Sequence, residues 1–182
     1  MIKSELRKIY KLKRNALIFE QIQKMQENIY NQIYDLDISE INNIHIFLTL
    51  DKFKEISTTP IIDYFRKHQK RIIVSKSDFT DNTLTHFYLE ENTEIVISKH
   101  GIPEPKNAES VLETEIDLVF VPLLISNNDN YRIGYGKGFY DRFLSKCKKD
   151  VKKIGLNFFK PIAKIDDINA FDVPLDDVMY PK

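Results

Sequence analysis

The chain has 182 residues, five of them glycine and only one cysteine, and 27 Lys plus Arg balance 27 Asp plus Glu. That length supports one domain with a sizeable core. Balanced charge argues against a general nucleic-acid or membrane-surface binder, which needs an excess of positive charge, and a lone cysteine, Cys147, excludes an intramolecular disulfide and a cysteine-built metal cluster. No apolar run approaches membrane-spanning length. The N-terminus is charged from Lys3 onward and lacks a signal-peptide apolar core. A soluble cytoplasmic protein with no nucleic-acid or membrane partner is therefore expected, and a monomer is expected alongside it.

Residues 1–59 contain neither glycine nor proline. Residues 3 to about 33 read as two helices, because Leu6, Ile9 and Tyr10, then Ile22, Met25, Ile29 and Ile33, recur at helical spacing. Lys3 and Arg7 are four apart and share a face. On spacing alone they fit a solvated basic face, and Arg14 reads as surface. Residues 44–50 form a short apolar run, predicted to be a buried strand with His45 structural. The loop beyond its carboxyl end holds Glu55, where ligands of open α/β sheets sit. Thr59 and Pro60 predict a helix start, an N-cap hydroxyl and then proline at the first helical position, with Ile61, Ile62 and Phe65 on the buried face.

Residues 71–74 read as the next strand. Residues 84–89 and 94–97 alternate, which suggests a hairpin or a pair of short strands. Residues 101–105 carry two prolines and read as a rigid loop. Residues 117–125 form the most convincing buried strand, with Pro122 marking where its ladder stops. A turn follows at 127–130, where Asn130 suits left-handed geometry. Residues 139–147 read as helix, 153–156 as strand, and 166–180 as a closing segment.

Three of the five glycines, Gly134, Gly136 and Gly138, fall within five residues, with Arg132, Lys137 and Arg142 around them. Alternate glycines let consecutive N–H groups turn toward one anion. A strand, a glycine-rich loop and a helix N-terminus in that order suit phosphate. The loop is neither a Walker A sequence, since Gly138 follows Lys137, nor the dinucleotide fingerprint. A flexible turn carrying a solvated lysine is the other reading of this pattern.

The segment Arg132-Ile-Gly-Tyr-Gly-Lys-Gly-Phe-Tyr-Asp141 resembles the signature R-L-G-x-G-x-G-Y-Y-D of the 5-formyltetrahydrofolate cyclo-ligases. Lys3-Ser-Glu-Leu-Arg7, Glu55-Ile-Ser-Thr58 with Pro60, and Gly101-Ile-Pro-Glu-Pro105 agree with that family in order and spacing. The resemblance implies one domain over 1–182, a three-layer α/β fold whose mostly parallel sheet has helices on both faces. It implies ATP- and magnesium-dependent cyclisation of 5-formyltetrahydrofolate to the 5,10-methenyl compound. By the same resemblance Lys3 and Arg7 grip ATP phosphates, and Arg132, Ile133, Gly134, Tyr135, Gly136, Lys137, Gly138, Phe139 and Tyr140 complete the nucleotide site. Leu48, Glu55 and Ile102, with Tyr135, Gly136, Lys137, Gly138 and Phe139, are implied to contact the folate. Lys137 and Arg132 are the implied catalytic cations. Asp141 and Asp176 are the implied metal carboxylates, with Asp177 the neighbouring alternative. The chain departs from the family pattern at Ser75, His100, Asn130 and Phe139. Three rival readings are an enzyme acting on a related pterin or one-carbon substrate, a non-catalytic nucleotide or folate binder, and an RNA-interacting protein. Retention of Lys3, Arg7, Arg132, Lys137 and Asp141 favours an enzyme over the second.

Overall fold

The computed structural model describes residues 1–182. The predicted helical region forms α1 (Lys3–Asn15) and α2 (Phe19–Tyr34). The following apolar run is buried, but its ladder is short: β1 covers Asn43–His45. One further bond, from Ile46 N–H to Ile73 O at 2.9 Å, extends the pairing before the chain leaves the sheet toward Glu55. Helix α3 (Thr59–Lys67) begins one residue earlier than the proline signal suggests, with Thr58 at the cap position. The Thr58 hydroxyl donates to Phe47 O at 2.8 Å, so it ties the helix start to the chain after β1 and does not cap.

Strands β2 (Arg71–Asp78) and β3 (Thr83–Tyr88) form a hairpin. β4 (Glu94–Ile97) does not pair with β3. It joins β5 (Pro103–Lys106) in a separate ribbon, which turns the expected proline loop into an edge strand. The remaining elements are β6 (Ser110–Val111), β7 (Leu118–Pro122), β8 (Ile125–Ser126), β9 (Arg132–Ile133), α4 (Phe139–Leu144), β10 (Lys152–Leu156) and β11 (Asp177–Met179). The β7 ladder ends at Pro122, paired with Leu156, as the missing N–H requires. Asn130 takes the left-handed conformation at φ 61°.

The main sheet has the order β11-β10-β7-β1-β2-β3-β6. The first five strands of that order are parallel, and β3 and β6 are antiparallel at one edge. Period-two alternation splits the core into two layers. Ile44, Ile72, Val74, Leu118 and Phe120 pack with Ile29 and Ile33 of α2 and Phe65 of α3. Ile73, Val119, Val121 and Val178 pack on the other face with Phe143 and Leu144 of α4. Helix α1 caps a smaller cluster with Leu124, Ile125 and Ile133. No helix is long and apolar enough to cross a membrane.

His45 and His86 lie on the α4 face, bridged by the Ser75 hydroxyl at 2.7 and 2.9 Å. Burial pushes the His86 imidazole down to about 4 from an ordinary 6.5. Its folded value lies below its unfolded one, so the stability it contributes is present above pH ~6.5 and is lost as pH falls toward ~4, on the order of 3 kcal/mol. His86→Gln should therefore show a shallower fall in urea midpoint across that window than the wild type. Parallel curves would contradict a neutral buried His86.

Candidate functional site

In the sheet order, β1 continues to β2 on one side, while β7 lies on its other side. The crevice beyond the carboxyl ends of β1 and β7 is thus a topological switch point, where open α/β sheets bind ligands. A cavity of about 1120 Å³ opens there. The segment after β1 supplies Leu48 and Glu55, the 98–103 turn supplies His100 and Ile102, and the glycine loop forms the opposite wall. Of the residues expected at a site, Lys3, Arg7, Leu48, Glu55, Ile102, Arg132, Ile133, Gly134, Tyr135, Gly136, Lys137, Gly138, Phe139, Tyr140 and Asp141 all line this cavity.

The glycine loop is held against α1. Arg7 Nε donates to Gly134 O at 3.0 Å, and the guanidinium lies flat over Gly136. At Gly136, with φ +94°, an added Cβ would come within 2.9 Å of Arg7 Cζ. Gly138 caps α4 in the left-handed conformation, and Arg142 closes the turn by donating to Lys137 O at 3.0 Å. The Lys137 side chain makes no hydrogen bond or ion pair and is exposed at the cavity. Gly136→Ala should cost about 1–2 kcal/mol from the left-handed backbone alone and should also displace Arg7. A melting temperature equal to wild type would contradict that packing.

Arg132 is committed differently. Its side chain is only 5% exposed, and it donates to Asp141 Oδ1 at 2.8 Å and to Val173 O. Burial lowers its affinity for a proton, and the Asp141 carboxylate opposes that. Asp141 Oδ1 also accepts from Val173 N–H at 3.1 Å. The neighbouring Asp172 lines the cavity, and its Oδ2 pairs with Lys3 and accepts from Asn169 N–H.

Asp176 lies elsewhere. Its Oδ2 accepts from Lys153 N–H at 2.7 Å and pairs with Lys153 Nζ at 2.9 Å. Lys153 stands near the start of β10, so Asp176 sits toward the amino ends of the strands, away from the crevice. The Asp177 carboxylate accepts from its own successor's amide at the start of β11. The structure thus brings Asp172, and neither Asp176 nor Asp177, beside Asp141. Each of Asp141 and Asp172 keeps one carboxylate oxygen without a protein donor. No group of three His, Cys, Asp or Glu side chains forms a complete metal cage. Two partly free carboxylates fit magnesium, which takes one or two protein oxygens and completes its shell with phosphate and water.

At the other pole Glu55 is buried, and both oxygens are engaged: Leu50 N–H donates to Oε2 at 2.9 Å and the Tyr135 hydroxyl to Oε1 at 3.1 Å. Burial pushes the Glu55 carboxyl up, while the Leu50 amide, Arg14 and Tyr135 pull it back. Arg14 is not a surface residue. It is 6% exposed and donates to the Tyr135 hydroxyl and to Leu123 O. A sequence signal existed, since Arg14 stands two helical turns beyond Arg7 on the same face. Phe79 was also missed. It stacks on His100 at 4.1 Å between ring centres and meets Phe139 edge-on at 5.1 Å, making an aromatic wall. Burial pushes the Cys147 thiol up to about 11, which suits no nucleophile.

The family model of the 5-formyltetrahydrofolate cyclo-ligase family matches residues 1–181. A 5-formyltetrahydrofolate cyclo-ligase of Haemophilus influenzae is 29% identical over 98% of this chain and 95% of its own. The mouse protein of that name is 30% identical over 75% and 72%. Among solved structures, the 5,10-methenyltetrahydrofolate synthetase of Aquifex aeolicus superposes with a TM-score of 0.85 at 26% identity, covering 100% of this chain and 91% of that one.

Proposed function

The chain belongs to the 5-formyltetrahydrofolate cyclo-ligase family, and from that membership we propose how its cavity closes the folate ring. It is an enzyme of this class, and 5-formyltetrahydrofolate is its substrate. In our reading the other substrate is ATP. The formyl oxygen of the N5 amide attacks the γ-phosphorus, and the bond to the β-phosphate oxygen breaks, releasing ADP. N10 then attacks the activated formyl carbon and loses its proton. Phosphate departs with the C–O electron pair, leaving the 5,10-methenyl bridge.

The observation that carries this reading is that one cavity has two chemically distinct poles. One pole has Lys3, Arg7, Lys137 and the amides of the glycine loop, which suit a triphosphate. The other has the Glu55 carboxylate beside an apolar and aromatic wall, which suits a pterin with N–H donors and flat faces. A volume of about 1120 Å³ exceeds what one drug-sized ligand needs. Phosphoryl transfer requires positioning and charge neutralisation more than covalent help. Lys137 is an unpaired cation at the cavity, available for the transferred group, while Arg132 orients Asp141 and adds its charge through that pair.

Asp141 and Asp172 would hold magnesium, which when bound shields the phosphate charges. In this reading the enzyme acts as a monomer, and dependence on ATP supports a cytoplasmic site of action. The test is direct. Protein, magnesium, ATP and 5-formyltetrahydrofolate are mixed, and the absorbance of the methenyl product is followed. Product that forms equally fast without ATP would overturn the nucleotide assignment.

A further inference from the structure

We propose that Arg14 is a positioning residue that acts through Tyr135 to hold Glu55 as an acceptor carboxylate, and so ties the folate anchor to the nucleotide loop. The inference rests on the reading of Glu55 as the folate anchor.

The three groups come from distant segments: Arg14 from α1, Glu55 from the chain after β1, and Tyr135 from between Gly134 and Gly136. A guanidinium can only donate, so the Tyr135 oxygen accepts from Arg14 Nη2. That leaves the single phenolic hydrogen to donate to Glu55 Oε1, at 3.1 Å. The order of donation is therefore one-way, and it ends on a carboxylate. With one donor on each oxygen, Glu55 keeps acceptor capacity at the cavity for a ligand carrying N–H groups. Arg14 is itself nearly buried and has no carboxylate within ion-pair distance. A buried cation without a carboxylate partner is costly, and the only polar partners of Arg14 are Leu123 O and a tyrosine that in turn bonds the anchor.

Because Tyr135 belongs to the glycine loop, any shift of that loop toward phosphate is felt at Glu55. The charged and titratable groups facing Glu55 are Arg14, Tyr135 and Tyr140 from other elements and Asp51 from its own turn. Lys11 lies 5.3 Å from the centre of the Tyr135 ring. Burial and Asp51 push the Glu55 carboxyl up, and Arg14 and Tyr135 oppose them. Removal of Arg14 should thus move the acidic limb of folate kcat/KM to higher pH.

The experiment compares Arg14→Met, Arg14→Lys, Tyr135→Phe and Glu55→Gln in the full enzyme. Arg14→Met should raise the KM for 5-formyltetrahydrofolate about tenfold, with kcat and the ATP KM within about threefold, and move the acidic limb up by about one pH unit. Arg14→Lys should restore part of both. Arg14→Met combined with Tyr135→Phe should be no worse than the more damaging single change, since the two act in series. An unmoved acidic limb in a folded Arg14→Met protein, or equal losses in kcat and both KM values, would overturn the proposal. Should Arg14→Met fail to fold, Tyr135→Phe decides alone, because it breaks the chain and leaves Arg14 in place. Glu55→Gln separates the two levels. If it leaves the folate KM unchanged, the anchor reading falls. If it raises that KM and Arg14→Met does not, only the positioning role falls.

Discussion

Lys137→Ala should lower kcat by about 10²–10³-fold, the usual cost of losing one preorganised group on developing charge, with almost no loss of stability. The structure separates these two outcomes. The Lys137 side chain is exposed and unpaired, and only its backbone carbonyl is used, by Arg142. Surface replacements of that kind usually change stability by less than about 0.5 kcal/mol. Alanine keeps the carbonyl, so the turn into α4 survives. A large kinetic loss with an unchanged melting curve would therefore report chemistry and not folding. Wild-type turnover in the purified variant would remove Lys137 from the reaction.

Asp141 should behave in the opposite way, because its carboxylate serves both structure and site. Asp141→Ala leaves Arg132 buried and unpaired and removes the acceptor for Val173 N–H. Breaking a buried pair by deleting one partner costs about 3–5 kcal/mol. The lower figure is expected here, since Asp141 is itself 31% exposed. Asp141→Asn keeps an oxygen in the Oδ1 position and should fold close to wild type. It removes the charge, so the magnesium concentration for half-maximal activity should rise about tenfold or more if Asp141 holds the metal. Asp172→Asn should shift that titration in the same direction, and Asp176→Asn should leave it alone. A titration that responds to Asp176 and not to Asp172 would contradict the arrangement around Arg132. Thermal melts and metal titrations on the same preparations distinguish the two kinds of loss.

Much of the architecture was legible in local pattern. Two helices before residue 34, a buried strand ending at Pro122 and a glycine turn leading into a helix follow from periodicity and backbone restrictions that act over a few residues. What local pattern left open is pairing, which is non-local. The alternating segments at 84–89 and 94–97 carry the right period for strands, but period does not name a partner. β3 pairs with β2, and β4 pairs with a proline-bearing edge strand. The predicted helix from 139 stops at Leu144, earlier than the expected Cys147.

The candidate site divides along the same line. By itself the amino-acid sequence determined which short segments can bend around an anion, which residues bring positive charge to them, and, by resemblance, the family to which the chain belongs. Those properties reside in the residues and their immediate neighbours. Only the tertiary structure decided that Arg14 is buried against Tyr135, that Asp172 rather than Asp176 stands beside Asp141, and that Arg132 is spent on a pair while Lys137 stays free. The physical reason is that a charged side chain faces solvent unless another part of the chain replaces its water. Here the partners lie 121 residues from Arg14 and 32 residues from Asp141, beyond the reach of any local pattern.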